Sequence, residues 1–203
     1  MNSELMGYSN PDLAEERRND ILRAAKKLFE RDGFRRTKLK DIAAECGMSV
    51  GHIYYYFENK NDIIERIVES ATDDFINLMN DCSLSYDGTE ESVLKNMGRI
   101  VDLFLNKHSS AFILLIKSEA LTNPSLFDSL VDAGRRVREC GAKLRYGDEH
   151  LDISEEEERA RVAVTIGMLE GLRMSLIFQP EVSPEALRKA AIDCLSALMK
   201  AGY

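Results

Sequence analysis

GFRRTKLKDIAAECGMSVGHIYYYFENK, residues 33–60 of the 203-residue chain, carries two short helical patterns either side of a glycine. Leu39, Ile42 and Ala43 recur at the spacing of one helix face, which predicts a short helix over 39–46. Glu45-Cys46-Gly47-Met48-Ser49 interrupts that pattern as a tight turn, and a second short helix over 50–56 follows at once. Two short helices joined by a glycine-containing turn describe a helix-turn-helix. Upstream, Ile21, Leu22, Ala25, Leu28 and Phe29 line one side of a helix over 11–32. That helix completes a three-helix unit with a small core of its own.

At roughly 100° per residue, Val50, Ile53 and Phe57 fall within one arc of the last short helix and must face that core. Gly51, His52, Tyr55 and Tyr56 lie on the opposite side, with Tyr54 at the edge. An outward aromatic cluster on a short helix calls for a reason. A DNA groove supplies one, since phenols and imidazole can bond phosphates or base edges and Gly permits close approach. The alternative is that the tyrosines pack under the rest of the chain.

Charge supports the first reading. The whole chain is acidic, with a net charge of −8, but residues 17–40 hold ten Lys/Arg against three Asp/Glu. Residues 61–203 hold 16 Lys/Arg against 25 Asp/Glu. A basic N-terminal module on an acidic body is the distribution expected of a polyanion binder, although a solvated helix face would look the same. The switch falls at Asn59–Lys60. The expected organisation is a flexible tail over 1–10, a helix-turn-helix domain over 11–59 and a second domain over 60–203.

Helix punctuation runs through the remainder. Asn10-Pro11, Asn123-Pro124 and Ser183-Pro184 pair a capping residue with Pro at the first helical position. Pro180 stops a helix near Phe178, and Ser154-Glu155-Glu156-Glu157 reads as a capping box. With no clean strand pattern, the expectation is an all-α chain of about nine helices, the later ones over 60–81, 89–106, 109–121, 124–146, 155–178 and 184–201. The longest run without Asp, Glu, Lys or Arg is 12 residues, Cys46–Phe57, too short to span a bilayer. No secretory signal is visible, which points to the cytoplasm. The four Cys and three His are scattered, so neither a disulfide framework nor a metal site is expected. No nucleophile elbow, phosphate loop, HExxH or CxxC is present, and the chain is not expected to be an enzyme or to carry a cofactor.

Gly33-Phe34, Lys40-Asp41-Ile42-Ala43, Cys46-Gly47-Met48-Ser49, Gly51 and Ile53-Tyr54-Tyr55-Tyr56-Phe57-Glu58-Asn59-Lys60 together resemble the DNA-binding signature of the TetR family of bacterial repressors, over about residues 15–65. The resemblance implies a helix-turn-helix domain fused to an all-helical body that dimerises and binds a small molecule, a homodimer on a palindromic double-stranded operator, and release by an effector. It places Tyr54, Tyr56 and Lys60 at phosphates, Gly51 and His52 at the groove, and Lys40 at bases or backbone. Thr37, Lys38, Ser49 and Tyr55 complete the candidate DNA-binding set. Lys38 departs from the family pattern, which often has a small hydroxyl residue there to cap the next helix. Thr37 is then the candidate cap, one residue early, and Lys38 a further phosphate contact.

In the body, the helix over 155–178 is apolar almost all round and carries Gly167 and Gly171 four residues apart. The helix over 184–201 repeats small residues. The resemblance implies that both pair with their copies in a four-helix bundle, the alternative being an ordinary core within one chain. Candidate ligand-pocket residues are Met97, Ile100, Phe104, Phe112, Ile116 and Met168. Glu119 would favour a cationic ligand, and Arg173 an anionic one unless it pairs with Glu170 or Glu181 at the surface. A helical protein that binds DNA without sequence preference is the alternative function. It leaves the long apolar helices unexplained.

Overall fold

Helices begin in this chain where a side chain can accept the backbone N–H groups that a first turn leaves unpaired. Ser49 Oγ accepts from His52 N–H at 3.1 Å and starts α3, Val50–Tyr56. Asn59 Oδ1 accepts from Asn61 and Asp62 and starts α4, Lys60–Leu84. Thr89 and Asn106 do the same for α5, Glu90–Phe104, and α6, Lys107–Ala120. Ser154 accepts from Glu157 N–H at 3.2 Å to start α8, Glu155–Phe178. Pro opens α1, Pro11–Asp32, α7, Pro124–Tyr146, and α9, Pro184–Lys200.

α2, Leu39–Glu45, starts differently. Lys38 stands at its N-cap, and its backbone N–H donates to Asp41 Oδ2 at 2.9 Å. Asp41 therefore supplies one half of a capping box. Thr37 does not cap: its hydroxyl points back into the domain.

The computed structural model describes residues 11–146 and 154–200, all of whose regular elements are helices. The tail expected over 1–10 lies outside the described residues. The fold is all-α, with nine helices among the described residues at nearly the expected limits. α4 runs three residues further than expected. α6 starts two residues earlier because Asn106, not a later residue, accepts Ser109 N–H at 3.0 Å.

Two left-handed glycines shape the N-terminal unit. Gly33, at φ +82°, ends α1, and Gly47, at φ +66°, makes the turn between α2 and α3. A Cβ at either position would meet open space, so the constraint is the backbone conformation, which L side chains rarely adopt.

Two buried clusters hold the molecule together. The first joins Ile21, Ala25, Leu28 and Phe29 of α1, Ile42 of α2 and Ile53 of α3 to Ile63, Ile64 and Val68 of α4, then to Phe112 and Ile116 of α6 and Leu126 of α7. The core of the helix-turn-helix is thus continuous with that of the body across residue 60. The second cluster packs Val101 and Phe104 of α5 with Leu169 of α8 and Ala191 of α9.

Candidate nucleic-acid interface

Ser49 and Gly47 fix α3 at an angle that buries Ile53 completely and Phe57 nearly so. Burying those two side chains contributes about 1.5–3 kcal/mol each and determines which face remains outside. Tyr55 is 71% exposed and Tyr54 57%. Gly51, His52 and Ser49 are exposed beside them, and Tyr56 is half-buried. The outward side chains brace one another. The His52 and Tyr56 rings stack with centroids 5.5 Å apart, and Tyr55 meets Tyr56 edge-on at 4.9 Å. The Arg18 guanidinium of α1 lies 5.8 Å over the Tyr56 ring, bringing a cation to the flank of this face. Sequence reasoning missed Arg18 as part of the site; it stands three helical turns upstream of the apolar stripe's end, and only packing brings it to α3.

Lys38 and Lys40 are exposed at the start of α2, with Arg36 just before them. The structure therefore brings Lys38, Lys40, Ser49, Gly51, His52, Tyr54, Tyr55 and Tyr56 to the surface of one small unit. Such a surface can donate from phenols, imidazole and ammonium groups to phosphates, with Gly51 leaving room at its centre.

Thr37 and Lys60 depart from the expected set. Thr37 is 2% exposed, and its hydroxyl donates to Gly33 O at 2.9 Å and Leu28 O at 3.3 Å. It ties the end of α1 to the start of α2. The Lys60 ammonium turns inward and donates to Phe34 O at 2.5 Å and Thr37 O at 2.9 Å, 4.2 Å over the Phe34 ring. Burial pushes its pKa down, opposed by the nearby Glu119 carboxylate. Lys60 fastens the first turn of α4 to the helix-turn-helix. Lys60→Met is expected to lower unfolding free energy by about 1–3 kcal/mol, because two partly buried carbonyls lose a charged donor. Chemical denaturation measures this. A variant as stable as the parent, with a weaker salt dependence of DNA binding, would restore Lys60 to the phosphate contacts.

The body contains a cavity of about 490 Å³, within the size range of small-molecule sites. Its wall takes Leu22 and Lys26 from α1, Ile67 and Phe75 from α4, and Phe104, Phe112, Ile116 and Arg173 from the candidate pocket set or beside it. Four other candidates lie elsewhere. Glu119 turns toward the helix-turn-helix and faces Arg35 at 3.4 Å, with Arg35 also donating to Thr122 Oγ1 at 2.6 Å. Ile100 packs against the second core cluster. Met97 is buried against a different groove beside Tyr86 and Val93, and Met168 is half-buried on α8. Arg173 is buried rather than at a surface. It pairs with Glu170, one of its two expected partners, at 3.5 Å. Sequence reasoning missed the contribution of α1: Lys26 lies 5.2 Å over the Phe112 ring.

Among the described residues, no helix is long and apolar enough to cross a membrane, and no group of three or more His, Cys, Asp or Glu could hold a metal ion.

Residues 21–67 match the family described as bacterial regulatory proteins, tetR family. The HTH-type transcriptional regulator HbdR of Aromatoleum sp. (strain CIB) is 40% identical over 67 residues, 33% of this chain and 29% of that protein. YfiR of Bacillus subtilis (strain 168), also an HTH-type transcriptional regulator by name, is 40% identical over 60 residues, 30% of this chain. The shared stretch spans 29% of the length of each of these relatives. Among solved structures, Salmonella enterica GusR superposes with a TM-score of 0.67 at 21% identity, covering 95% of this chain and 98% of that one. The fold is therefore shared over 95% of the chain, while the 40% identity to HbdR and YfiR covers only about a third of it.

Proposed function

We propose that this chain, which belongs to the TetR family of bacterial regulatory proteins, is a cytoplasmic one-component transcriptional repressor that binds a pseudo-palindromic operator as a homodimer and is released by a small-molecule effector. The observation that carries this reading is the exposed face of α3, where His52, Tyr54 and Tyr55 stand outside a unit whose first helix and α2 start are rich in Lys and Arg.

Dimerisation rests on α8 and α9. Ala160, Ala163, Val164, Gly167, Gly171, Met174 and Phe178 recur at helical spacing on α8, and all are exposed in the single chain. Ala186, Ala190, Cys194 and Ala197 make a similar exposed stripe on α9. An apolar, small-residue face of this length is costly in water and suits close packing of helices. Two copies joined there present two α3 helices, and a spacing near one turn of DNA, ~34–36 Å, lets both enter successive major grooves.

Release follows from where the cavity lies. α1 carries the helix-turn-helix and also lines the cavity with Leu22 and Lys26. α4 is fastened to the helix-turn-helix through Lys60 and lines the same cavity with Ile67 and Phe75. An effector that fits better when these helices separate differently favours a form whose α3 helices no longer match the grooves. Coupling of this kind is typically worth about 1–3 kcal/mol.

The test is a mobility shift with the full chain on the DNA flanking its own gene. A discrete, salt-sensitive shift at low micromolar protein, outcompeted by itself and not by random duplex, is the expected outcome. Equal affinity for random DNA would favour a nonspecific helical DNA binder instead.

A further inference from the structure

Arg173 is a buried cation on the wall of a cavity lined mostly, not wholly, by apolar side chains. It is 6% exposed. Its Nη1 donates to Ser110 Oγ at 3.2 Å, and that fully buried hydroxyl donates in turn to Phe104 O at 2.9 Å. The guanidinium plane lies 4.2 Å over the Phe104 ring. Nε is buried with no hydrogen-bond acceptor. Glu170 Oε2 lies 3.5 Å from Nε and only 2.8 Å from Lys117 Nζ, and it too lacks hydrogen-bond geometry. One carboxylate is thus divided between two cations. Burial pulls the guanidinium pKa down, and Glu170 offsets only part of that.

Arg23, an exposed cation on this wall, is held by Asp20 at 3.0 Å, which leaves Lys26, Lys117 and Arg173 in the wall against Asp74 and Glu170. The imbalance is positive. A buried cation with an open donor is costly until an acceptor reaches it. Most of the remaining wall is apolar, including Leu22, Ile67, Phe75, Phe112, Ile113 and Ile116, and its polar remainder is uncharged, with Asn19, Ser70, Thr72 and Ser109. Glu119, the acid that would have favoured a cation, is engaged with Arg35 outside the cavity.

We infer that the effector is an amphipathic monoanion, an apolar body ending in a carboxylate that accepts from Arg173 Nε, with Ser110 and Phe104 holding the guanidinium in place. This rests on the reading of the cavity as the effector site. The Nε edge, without a hydrogen-bonded acceptor, suits one carboxylate. A phosphate dianion would carry a far larger desolvation cost into the same walls. The carboxylate also competes with Glu170 for Arg173, leaving Glu170 to Lys117.

The experiment compares three probes with the same apolar chain, decanoate, decan-1-ol and decylamine, by titration calorimetry on the full chain below their aggregation concentrations. Decanoate is expected to bind at least tenfold more tightly than either of the others. In Arg173→Gln the three affinities are expected to converge. Lys117→Gln, at a largely solvated position, gives a second variant: it releases Glu170 to neutralise Arg173, and the decanoate preference is expected to shrink several-fold. If Arg173→Gln fails to fold, as judged by circular dichroism, the ranking on the parent chain and on Lys117→Gln decides. Decan-1-ol or decylamine binding as tightly as decanoate to the parent overturns the charge assignment and leaves the cavity as an effector site. Binding of none of the three overturns the cavity reading itself.

Discussion

Gly171→Arg is expected to leave a helical chain that light scattering weighs at 23.0 kDa rather than at twice that mass. A Cβ at Gly171 meets nothing within 4 Å in the single chain, and α8 gains helix propensity by losing a glycine. In a dimer joined through α8 and α9 the same side chain would be driven into the facing helix, and a buried, unpaired guanidinium costs several kcal/mol. A monomer engages only one half-site, so operator affinity is expected to fall to the ~10⁻⁴–10⁻⁶ M range of nonspecific binding. A variant that remains dimeric and binds DNA as before would remove α8 from the interface.

The double substitution of His52→Ala with Tyr55→Ala is expected to weaken operator binding by about 2–6 kcal/mol, on the basis of about 1–3 kcal/mol per base-edge contact. Both side chains are exposed, so unfolding free energy should fall by only about 1–2 kcal/mol, through the lost stacked and edge-on contacts with Tyr56. Binding to random duplex at low salt should change little, because Arg36, Lys38 and Lys40 are untouched. A fluorescence anisotropy titration on operator and random DNA separates the two. An equal loss on both sequences would mean that α3 contributes no sequence reading. The outcome differs from that of Lys38→Ala, which should weaken both and reduce the salt slope by about one.

The limits of the helices are legible in the chain because a cap is a local device. Asn59 acts on Asn61 and Asp62, and Thr89 on Ser92, all within three residues. The inward side of α3 is equally legible, since Val50, Ile53 and Phe57 can share one face only in a helix. The ends of long or polar side chains are not local. Lys60 sits in a basic stretch like Lys38, yet its ammonium reaches a carbonyl 26 residues away. Thr37 has the composition of a cap and the position of a buried strut, because Leu28 and Gly33 offer carbonyls that only the folded turn brings near. Glu119 and Arg173 are each a polar residue on an apolar helix. Periodicity alone does not say that one turns toward Arg35 and the other into the cavity. Lys26 looks like one more surface cation of α1 until Phe112, from α6, is seen beneath it.

The proposed dimer face illustrates a different limit. The small residues of α8 are visible as a pattern, but whether they serve an internal core or a second copy depends on what the chain leaves uncovered. The structure leaves Gly167, Gly171 and Val164 exposed, and that uncovered face supports the proposal of a second copy over an internal core.

In the proposed function, α3 of two coupled copies reads a duplex through its outward tyrosines and histidine. Repeated selection of the full chain on a pool of random duplexes at physiological salt tests it most directly. Enrichment of an inverted repeat whose half-sites are centred about one helical turn apart, lost when His52 and Tyr55 are both alanine, is the expected result. A pool that stays random after selection, or one enriched equally by the double variant, would contradict it.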